Sequence, residues 1–267
     1  MASPLTERNN LVPYAHLDEP RERVFYTRHL ELTGQAPAVV CVHGAGGSHL
    51  NWPAEIRRLP GATVYTLDLP GHGRSGGSGR RTIDEYMAVL TAFLDALNLS
   101  QAVIVGHSMG SAVAMKMALT HPDRVQGLVL LGSGAKLRVA PSILQGIQNN
   151  FKGVVNLIGD FAYGPDAPEK LKNQGQQLLS QTSPEVMRGD FLACDAFDVM
   201  ENLDEINVPA LVITGTDDQL TPPKYAQFLA QHIAGAELVL VEKAGHMVML
   251  ERPQEVGDSV ARFVAAL

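Results

Sequence analysis

Apolar and polar residues alternate along the chain in a pattern of short strands and longer helices. Runs that are apolar almost throughout predict strands buried on both faces, as in a parallel sheet. Upstream of these runs, Tyr14–Leu17 and Arg23–His29 predict two antiparallel strands at a sheet edge, with residues 18–20 in the turn. The apolar runs that predict the other six strands are Ala38–Val42, Val64–Leu67, Ala102–Val105, Gly127–Leu131, Ala210–Thr214 and Glu237–Val241.

The stretches between these runs have the spacing of amphipathic helices. In Thr82–Leu97, the clearest example, the apolar residues fall on one face. Thr82 followed by Glu85 predicts a capping box at the start of this helix. Strands that alternate with helices predict right-handed crossovers. The fold class is therefore α/β, with an eight-stranded, mainly parallel sheet flanked by helices.

One segment, residues 133–203, interrupts the alternation. It contains no strand-like run, and the steps Gly164-Pro165 and Ala167-Pro168 are typical of helix ends. The segment is longer than an ordinary connection between strands. We predict that it is a small helical cap inserted after the sixth strand, and that residues 1–132 and 204–267 together form the core built around the sheet.

Composition narrows the class of protein. With 267 residues, 45% hydrophobic and 18% charged, the chain has the size and balance of one soluble α/β domain. The net charge of −7 argues against a nucleic acid or an anionic membrane as partner. Two unpatterned cysteines give no disulfide framework, and residues 1–10 lack a signal peptide. We therefore expect a cytoplasmic protein, monomeric or homodimeric, with no membrane insertion.

The most informative motif is Gly106-His107-Ser108-Met109-Gly110, which follows a predicted strand and precedes a helix-compatible stretch. A strand, a G-x-S-x-G turn and a helix form a nucleophile elbow, whose sharp turn raises the serine hydroxyl above the sheet. The two glycines are needed because side chains there would collide with the neighbouring strand and helix. The motif predicts that Ser108 is a nucleophile.

A nucleophilic serine needs a base and an acid. The base takes the hydroxyl proton during attack, and the pKa of histidine suits that role. His246 follows the last predicted strand, in a loop that we expect to point back to the elbow. The alternative interpretation is a histidine on a surface loop. A carboxylate must then orient the imidazole. The loop after Ala210–Thr214 supplies Asp217 and Asp218, and spacing alone does not choose between them.

Attack on a carbonyl also creates an oxyanion, which needs preorganised N–H donors. One donor is Met109, the residue after the nucleophile. The second is expected from the glycine-rich loop at residues 43–48. Its Gly-x-Gly spacing lacks the full dinucleotide pattern and no Walker lysine follows, so nucleotide binding is not indicated. A metal site at His43, Asp68 and His72 has no ligand spacing in its favour.

Together these motifs resemble the α/β-hydrolase superfamily, in particular its capped serine esterase, lactonase and C–C hydrolase branch. The resemblance covers nearly the whole chain except the cap. It rests on five motifs in order: His43-Gly44, Asp68-Leu69-Pro70-Gly71-His72-Gly73-Arg74-Ser75, the elbow, Gly215 to Pro222, and Gly245-His246. The serine at the elbow separates the chain from the haloalkane dehalogenases and epoxide hydrolases of this superfamily, which have aspartate there.

The resemblance also implies roles for individual residues. It implies that the acid is the third residue after the loop glycine, hence Asp218, and that the second oxyanion donor is Ala45, with Gly46 as the alternative. It further implies that His43 and residues 68–75 shape the site without doing chemistry. No cofactor is implied.

These residues predict a serine hydrolase that cleaves small to medium carboxylic esters through an acyl-enzyme on Ser108, with a small-molecule ester as its partner. C–C hydrolysis, enol-lactone hydrolysis and perhydrolysis use the same residues, and only the pocket selects among them. A ligand-sensing protein on the same scaffold is the alternative from another class. Candidate substrate contacts are Gly46 and Met247. Aromatic cap residues that would contact substrate or form the cap's own core are Phe151, Phe161, Tyr163 and Phe191.

Overall fold

Eight strands form one sheet at the centre of the molecule. The computed structural model describes residues 13–18, 21–30 and 36–267. The strands are β1 Tyr14–Leu17, β2 Glu22–His29, β3 Ala38–Val42, β4 Thr63–Leu67, β5 Ala102–His107, β6 Val125–Leu131, β7 Ala210–Gly215 and β8 Glu237–Val241. Their order is β1-β2-β4-β3-β5-β6-β7-β8. Strand β2 is antiparallel to both of its neighbours, and the other pairs are parallel.

The predicted strands and the α/β class, an eight-stranded and mainly parallel sheet flanked by helices, are confirmed. The edge pair β1–β2 is antiparallel, as predicted, and residues 19 and 20 of its predicted turn lie outside the described residues. Strand β5 continues to His107 and β7 to Gly215. Both strands therefore run directly into the loops that carry candidate site residues.

The described residues contain ten α-helices. They are α1 Ala54–Arg57, α2 Ile83–Ala96, α3 Met109–Thr120, α4 Pro141–Asn149, α5 Phe151–Ala162, α6 Glu169–Leu179, α7 Pro184–Ala196, α8 Pro223–His232, α9 Val248–Glu251 and α10 Pro253–Ala266. The predicted capping box opens α2: the Thr82 hydroxyl accepts from the Glu85 N–H, and the Glu85 carboxylate accepts from the Thr82 N–H. These two N–H groups at the start of the helix have no hydrogen-bond acceptor within the helix, and the capping box provides one for each.

Apolar cores lie on both faces of the sheet. In β3, Val40 and Val42 pack with residues of α2 and α3. The alternate residues Val39 and Cys41 pack with residues of α1 and α10 on the other face. Side chains alternate between faces along a strand, so a strand covered on both sides must be apolar throughout. This packing explains the apolar runs in the sequence.

The segment predicted to be a cap, residues 133–203 and called the cap below, lies in the chain between β6 and β7 and contains helices α4 to α7. Its main buried apolar cluster is small, consisting of Ile147, Val154, Val155 and Met187, and a second one contains only Ala162, Tyr163 and Ala167. Helix α6 has no buried residue. The cap therefore depends on contacts with the core as well as on its own packing. No helix within the described ranges is long and apolar enough to cross a bilayer.

Candidate active site

The candidate site residues lie at one edge of the sheet. Ser108 follows β5, Asp218 follows β7 and His246 follows β8, while Ala45 lies in the loop after β3. These strands are parallel. The carboxyl ends of parallel strands open on the same edge of a sheet. Residues far apart in sequence are therefore brought together there.

Ser108 sits in a strained turn between β5 and α3. Its φ of 52° and ψ of −115° are unusual for a residue with a side chain. The turn is closely packed: a Cβ atom at Gly106 would overlap the Gly110 carbonyl, and one at Gly110 would overlap the Val42 carbonyl. The strand, sharp turn and helix that the motif predicts are present, and both glycines are required by close approach of backbone.

His246 and Asp218 form a buried, hydrogen-bonded pair. Asp218 Oδ2 lies 2.9 Å from His246 Nδ1. Thr221 supports the carboxylate: its N–H donates to Oδ1 at 2.8 Å and its hydroxyl to Oδ2 at 2.8 Å. Burial alone raises the pKa of Asp218, but the charge and hydrogen bond of His246 and the bonds from Thr221 outweigh it and hold that pKa below its usual value. Asp218 is therefore an anion at neutral pH and can orient the imidazole.

The neighbouring Asp217 points elsewhere. Its carboxylate accepts from the Thr216 hydroxyl at 3.2 Å, and its N–H donates to the Ala244 carbonyl at 2.9 Å. Adjacent residues in this turn project in different directions. Of the two aspartates between which spacing could not choose, Asp218 is the one that contacts His246.

His107 joins the elbow to the loop of His246. Its Nε2 lies 3.0 Å from the backbone carbonyl of His246, and the two ring centroids are 4.8 Å apart. Burial, reinforced by the charge of His246, lowers the pKa of His107 to about 3. The ring is therefore neutral, with the proton on Nε2 donated to the carbonyl. This bond holds the loop of His246 beside Ser108, the candidate nucleophile, which directly follows His107.

Ser108 and His246 line the same cavity, which has a volume of about 400 Å³. That volume lies in the range of small-molecule sites. In the part of the chain that the structure describes, no hydrogen bond joins the Ser108 hydroxyl to the imidazole. Such bonds are often long before substrate binds and shorten around the reacting carbonyl.

Residues 44–48 of the glycine-rich loop line the cavity, and α3 begins at Met109, directly after the lining residue Ser108. Within the described residues, the N–H groups of Ala45 and Met109 donate to no acceptor. The N–H of Gly46 is different, because it donates to Asp190 Oδ2 at 2.8 Å. Gly46 lines the cavity, but its N–H is not free to bind an oxyanion. The N–H of Gly46, the alternative that the resemblance implied, is thus already bonded to Asp190, and the N–H of Ala45 remains the candidate donor from this loop.

His43 and Asp68 hold the loops behind the cavity. His43 Nε2 accepts from the Leu69 N–H at 3.0 Å. Asp68 accepts from the His49 N–H at 2.6 Å and the Arg74 N–H at 2.8 Å. These bonds fix the course of the two loops. Across the described ranges, no group of three or more His, Cys, Asp or Glu side chains is arranged to hold a metal ion.

The cap supplies much of the apolar wall of the cavity. The apolar cap side chains that line it include Ile143, Ile158, Leu178, Leu179 and Phe191. Among the cap's other aromatic residues, Tyr163 also lines the cavity, whereas Phe151 packs in the cap's own cluster and Phe161 is exposed. The candidate aromatic contacts therefore divide between the substrate cavity, the cap core and the surface.

From the core side, Met247 lines the cavity directly beside His246. The next two residues, Val248 and Met249, are buried in the apolar core on the sheet face covered by α1 and α10. Among the described residues that line the cavity, there is one Lys, Arg, Asp or Glu. It is Arg138, which is exposed. The cavity lining is thus mainly uncharged, and its apolar side chains lie beside polar ones such as Gln176, Gln181 and Gln219.

Sequence reasoning missed three polar residues that support this site: Asp190, Thr221 and Glu251. Glu251 accepts from the Gly164 N–H at 2.8 Å and the Gly245 N–H at 3.0 Å. It therefore joins the cap to the loop that carries the candidate histidine. A carboxylate is rarely buried without partners. An acidic residue on an otherwise apolar helix face was the available signal for both Glu251 and Asp190.

Comparison with known proteins agrees with this geometry. The model of the Alpha/beta hydrolase family matches residues 39–258. Pimeloyl-[acyl-carrier protein] methyl ester esterase of Neisseria meningitidis serogroup C is 29% identical over 243 residues, 85% of this chain and 93% of that protein. The crystal structure of the enol-lactonase from Burkholderia xenovorans LB400 has a TM-score of 0.88 and 26% identity, over 95% of this chain and 100% of that one. A thermophilic esterase has a TM-score of 0.83 and 31% identity, over 95% and 96% of the two chains.

The chain therefore belongs to the α/β-hydrolase family. The resemblance to its esterase and lactonase branch is also confirmed, since relatives by sequence and by structure carry those names.

Proposed function

We propose that the protein is a cytoplasmic serine hydrolase that cleaves small to medium carboxylic esters through an acyl-enzyme on Ser108. The observation that carries the proposal is the His246–Asp218 hydrogen bond of 2.9 Å beside the cavity that Ser108 lines. Packing alone does not call for a buried carboxylate and imidazole at this place, because desolvating such a pair is costly. Three residue types with complementary roles in acyl transfer favour catalysis instead.

In the first half of the reaction, Ser108 Oγ attacks the ester carbonyl while His246 Nε2 takes the hydroxyl proton. Asp218 accepts from Nδ1–H and stabilises the imidazolium. The N–H groups of Met109 and Ala45 bind the oxyanion, each contributing about 10²–10³ in rate. The alcohol leaves with the proton from His246. Water then attacks the acyl-enzyme, with His246 as base, and releases the acid without any cofactor.

The lining of the cavity supports an ester with an apolar acyl group. The cap contributes aliphatic and aromatic side chains, and the described lining residues include no carboxylate that would attract an amine. A cavity of about 400 Å³ suits a small or medium acyl chain. The relative named for a methyl ester esterase supports the same class of bond.

The proposal is tested with p-nitrophenyl esters of acyl length C2 to C12. Wild type should hydrolyse them with a preference among the shorter lengths, and Ser108→Ala should lose that activity while unfolding at a similar temperature. Wild type that hydrolyses none of the esters, or a serine variant that remains active, would refute it. A slow single turnover with a retained adduct would point to a ligand sensor.

Lactone hydrolysis is the second candidate, supported by the likeness to the enol-lactonase over nearly the whole chain. The chemistry is the same, but the leaving alcohol stays attached to the acyl group. We would compare kcat/KM for an enol-lactone and for a linear ester of matched length. A clearly larger value for the lactone would favour lactonase over carboxylesterase activity.

A further inference from the structure

Asp190 is a fully buried carboxylate of the cap that contacts three separate segments of the core. Its Oδ2 accepts from the Gly46 N–H at 2.8 Å and lies 2.8 Å from His72 Nε2. Its Oδ1 accepts a short hydrogen bond from the Tyr86 hydroxyl. These partners come from the loop after β3, the loop after β4 and helix α2. One side chain of α7 thus binds the core at three points.

The peptide units on both sides of Gly46 are held by the cap. The N–H of Gly46 donates to Asp190, and its carbonyl accepts from the Thr182 hydroxyl at 2.9 Å. Its φ of +66° suits glycine, and a Cβ atom there would lie 2.6 Å from Leu179 Cδ1 and 3.1 Å from Met187 Cε. The two hydrogen-bond partners, and the two side chains that leave no room for a Cβ atom, all belong to the cap. The cap therefore holds this loop residue in place, in addition to the bond within the loop from the Gly47 N–H to the Gly44 carbonyl at 3.0 Å.

His72 supplies the positive charge that balances Asp190. Both of its ring nitrogens face acceptors, the Pro70 carbonyl at 3.1 Å and Asp190 Oδ2 at 2.8 Å. Burial alone lowers the pKa of His72, but the charge and hydrogen bond of Asp190 outweigh it and raise that pKa above its usual value. A buried carboxylate with an imidazolium partner and two further donors is fully paired.

We propose that Asp190 is a positioning residue, through which the cap holds the Gly46 peptide and so aims the N–H of Ala45 at the developing oxyanion. The inference rests on the proposed function, because Ala45 is the second oxyanion donor there. The Asp190–Gly46 bond fixes the peptide unit immediately after Ala45, and the Thr182 bond fixes the next one. Oxyanion donors act through preorganised geometry, so a loop free to rotate at Gly46 would lose rate.

A role confined to fastening the cap makes a different prediction. Loss of a fastening contact lowers the unfolding temperature and raises KM for long acyl chains, because the cap forms the acyl wall. Loss of a positioning contact slows the step in which negative charge develops, whatever the acyl chain. The rate at which an alkyl fluorophosphonate modifies Ser108 isolates that step, since the reaction needs the nucleophile and the oxyanion donors but no particular ester.

The experiment measures this labelling rate by intact-protein mass spectrometry for wild type, Ser108→Ala, Asp190→Asn and a matched control, Asp195→Asn. Asp195 lies on the same helix and accepts the Val139 N–H at 3.0 Å, without contacting Gly46. Asparagine at 190 presents an amide N–H₂ to groups that are themselves donors. We expect Asp190→Asn to label about tenfold more slowly or worse, and Asp195→Asn to label within about twofold of wild type.

Thr182→Val provides a second route that keeps helix α7 unchanged. It removes only the bond to the Gly46 carbonyl, and we expect labelling to slow about threefold. If Asp190→Asn and Thr182→Val are both labelled at the wild-type rate, the inference is wrong, even if the unfolding temperatures of the two variants fall. If Asp190→Asn does not fold, Thr182→Val alone decides. Wild type that is folded but not labelled would refute the proposed function itself, and the inference with it.

Discussion

The core and the cap contribute to the site in different ways. The core carries the residues proposed to react, each on a loop that leaves the carboxyl end of a strand: Ser108 after β5, Asp218 after β7 and His246 after β8. The cap carries apolar wall residues and the side chains that hold Gly46. Its own apolar cluster is small, while the core has extensive packing on both faces of the sheet.

This difference predicts that the two regions will tolerate substitutions differently. Reacting groups need fixed positions, and a sheet packed on both sides holds its loop ends rigidly. Acyl walls only need to be apolar and of suitable size, which a lightly packed helical layer provides. The exceptions are the few buried polar contacts between the regions, at Asp190 and Glu251. There the cap is expected to matter as much as the core.

The largest effect is expected in the core, at the acid. Asp218→Asn should reduce kcat by about 10³–10⁴, because the imidazole loses the group that fixes its tautomer and stabilises its charge. Asp217→Asn is the matched control, since it alters the adjacent residue, which bonds to Thr216 rather than to His246. It should retain kcat within a few-fold. Equal losses from the two variants, measured with p-nitrophenyl butanoate, would contradict the assignment.

A second comparison concerns stability. Val129 is fully buried in the sheet and Val154 belongs to the small cap cluster. We expect Val129→Ala to lower the free energy of unfolding by about 2 kcal/mol and Val154→Ala by about 1 kcal/mol, because the cap can relax around a cavity more readily than the sheet. Urea unfolding measures both. A larger loss at Val154 would reverse the contrast between the two regions.

A third prediction tests the cap as the acyl wall. Ile158 lines the cavity, and its neighbour Leu157 is exposed on the same helix. Ile158→Phe should reduce kcat/KM for long-chain esters about tenfold more than for acetate, because the larger ring shortens the space for the chain. Leu157→Phe is the control and should leave the chain-length profile unchanged. The same profile in both variants would show that this helix does not limit the acyl group.

The smallest effect is a pH dependence at the contact between cap and core. The pKa of His72 is raised in the folded chain: burial lowers it, but Asp190 and, more weakly, the hydrogen bond to the Pro70 carbonyl and the charge of Asp68 outweigh burial. A group with a raised folded pKa stabilises fully below its unfolded pKa of about 6.5, and that stabilisation is lost as pH rises through the folded pKa. Wild type should therefore have a higher free energy of unfolding than His72→Gln. This difference should be largest near about pH 6 and smaller towards about pH 9. A difference that grows with pH would contradict this.

Local signals made most of the core predictable from sequence. The strands were found because burial on both faces leaves an apolar run, and Gly106 and Gly110 because backbone approaches them closely. The choice between Asp217 and Asp218 was not accessible from spacing. It depends on a turn in which Thr221 bonds to one carboxylate, and that turn exists only in three dimensions.

The cap was less predictable for physical reasons. Helix α6 has no buried residue, so its sequence carries little apolar periodicity. The bond between Asp190 and Gly46 joins residues 144 positions apart, and no local pattern reports it. A sequence signal did exist, because Asp190 falls on the buried face of α7 with Met187 and Cys194. Identifying its partners required the packed structure.

The most direct test of the whole account is a crystal structure with an alkylboronic acid, which forms a tetrahedral anion on an active serine. The account predicts a bond from Ser108 Oγ to boron and one boron-bound oxygen within hydrogen-bonding distance of the Ala45 and Met109 N–H groups. The alkyl chain should lie against Ile158 and Phe191 of the cap. If boron binds elsewhere, or if its oxygen points away from both N–H groups, the account is wrong. The core would then not supply the nucleophile and the oxyanion donors as proposed.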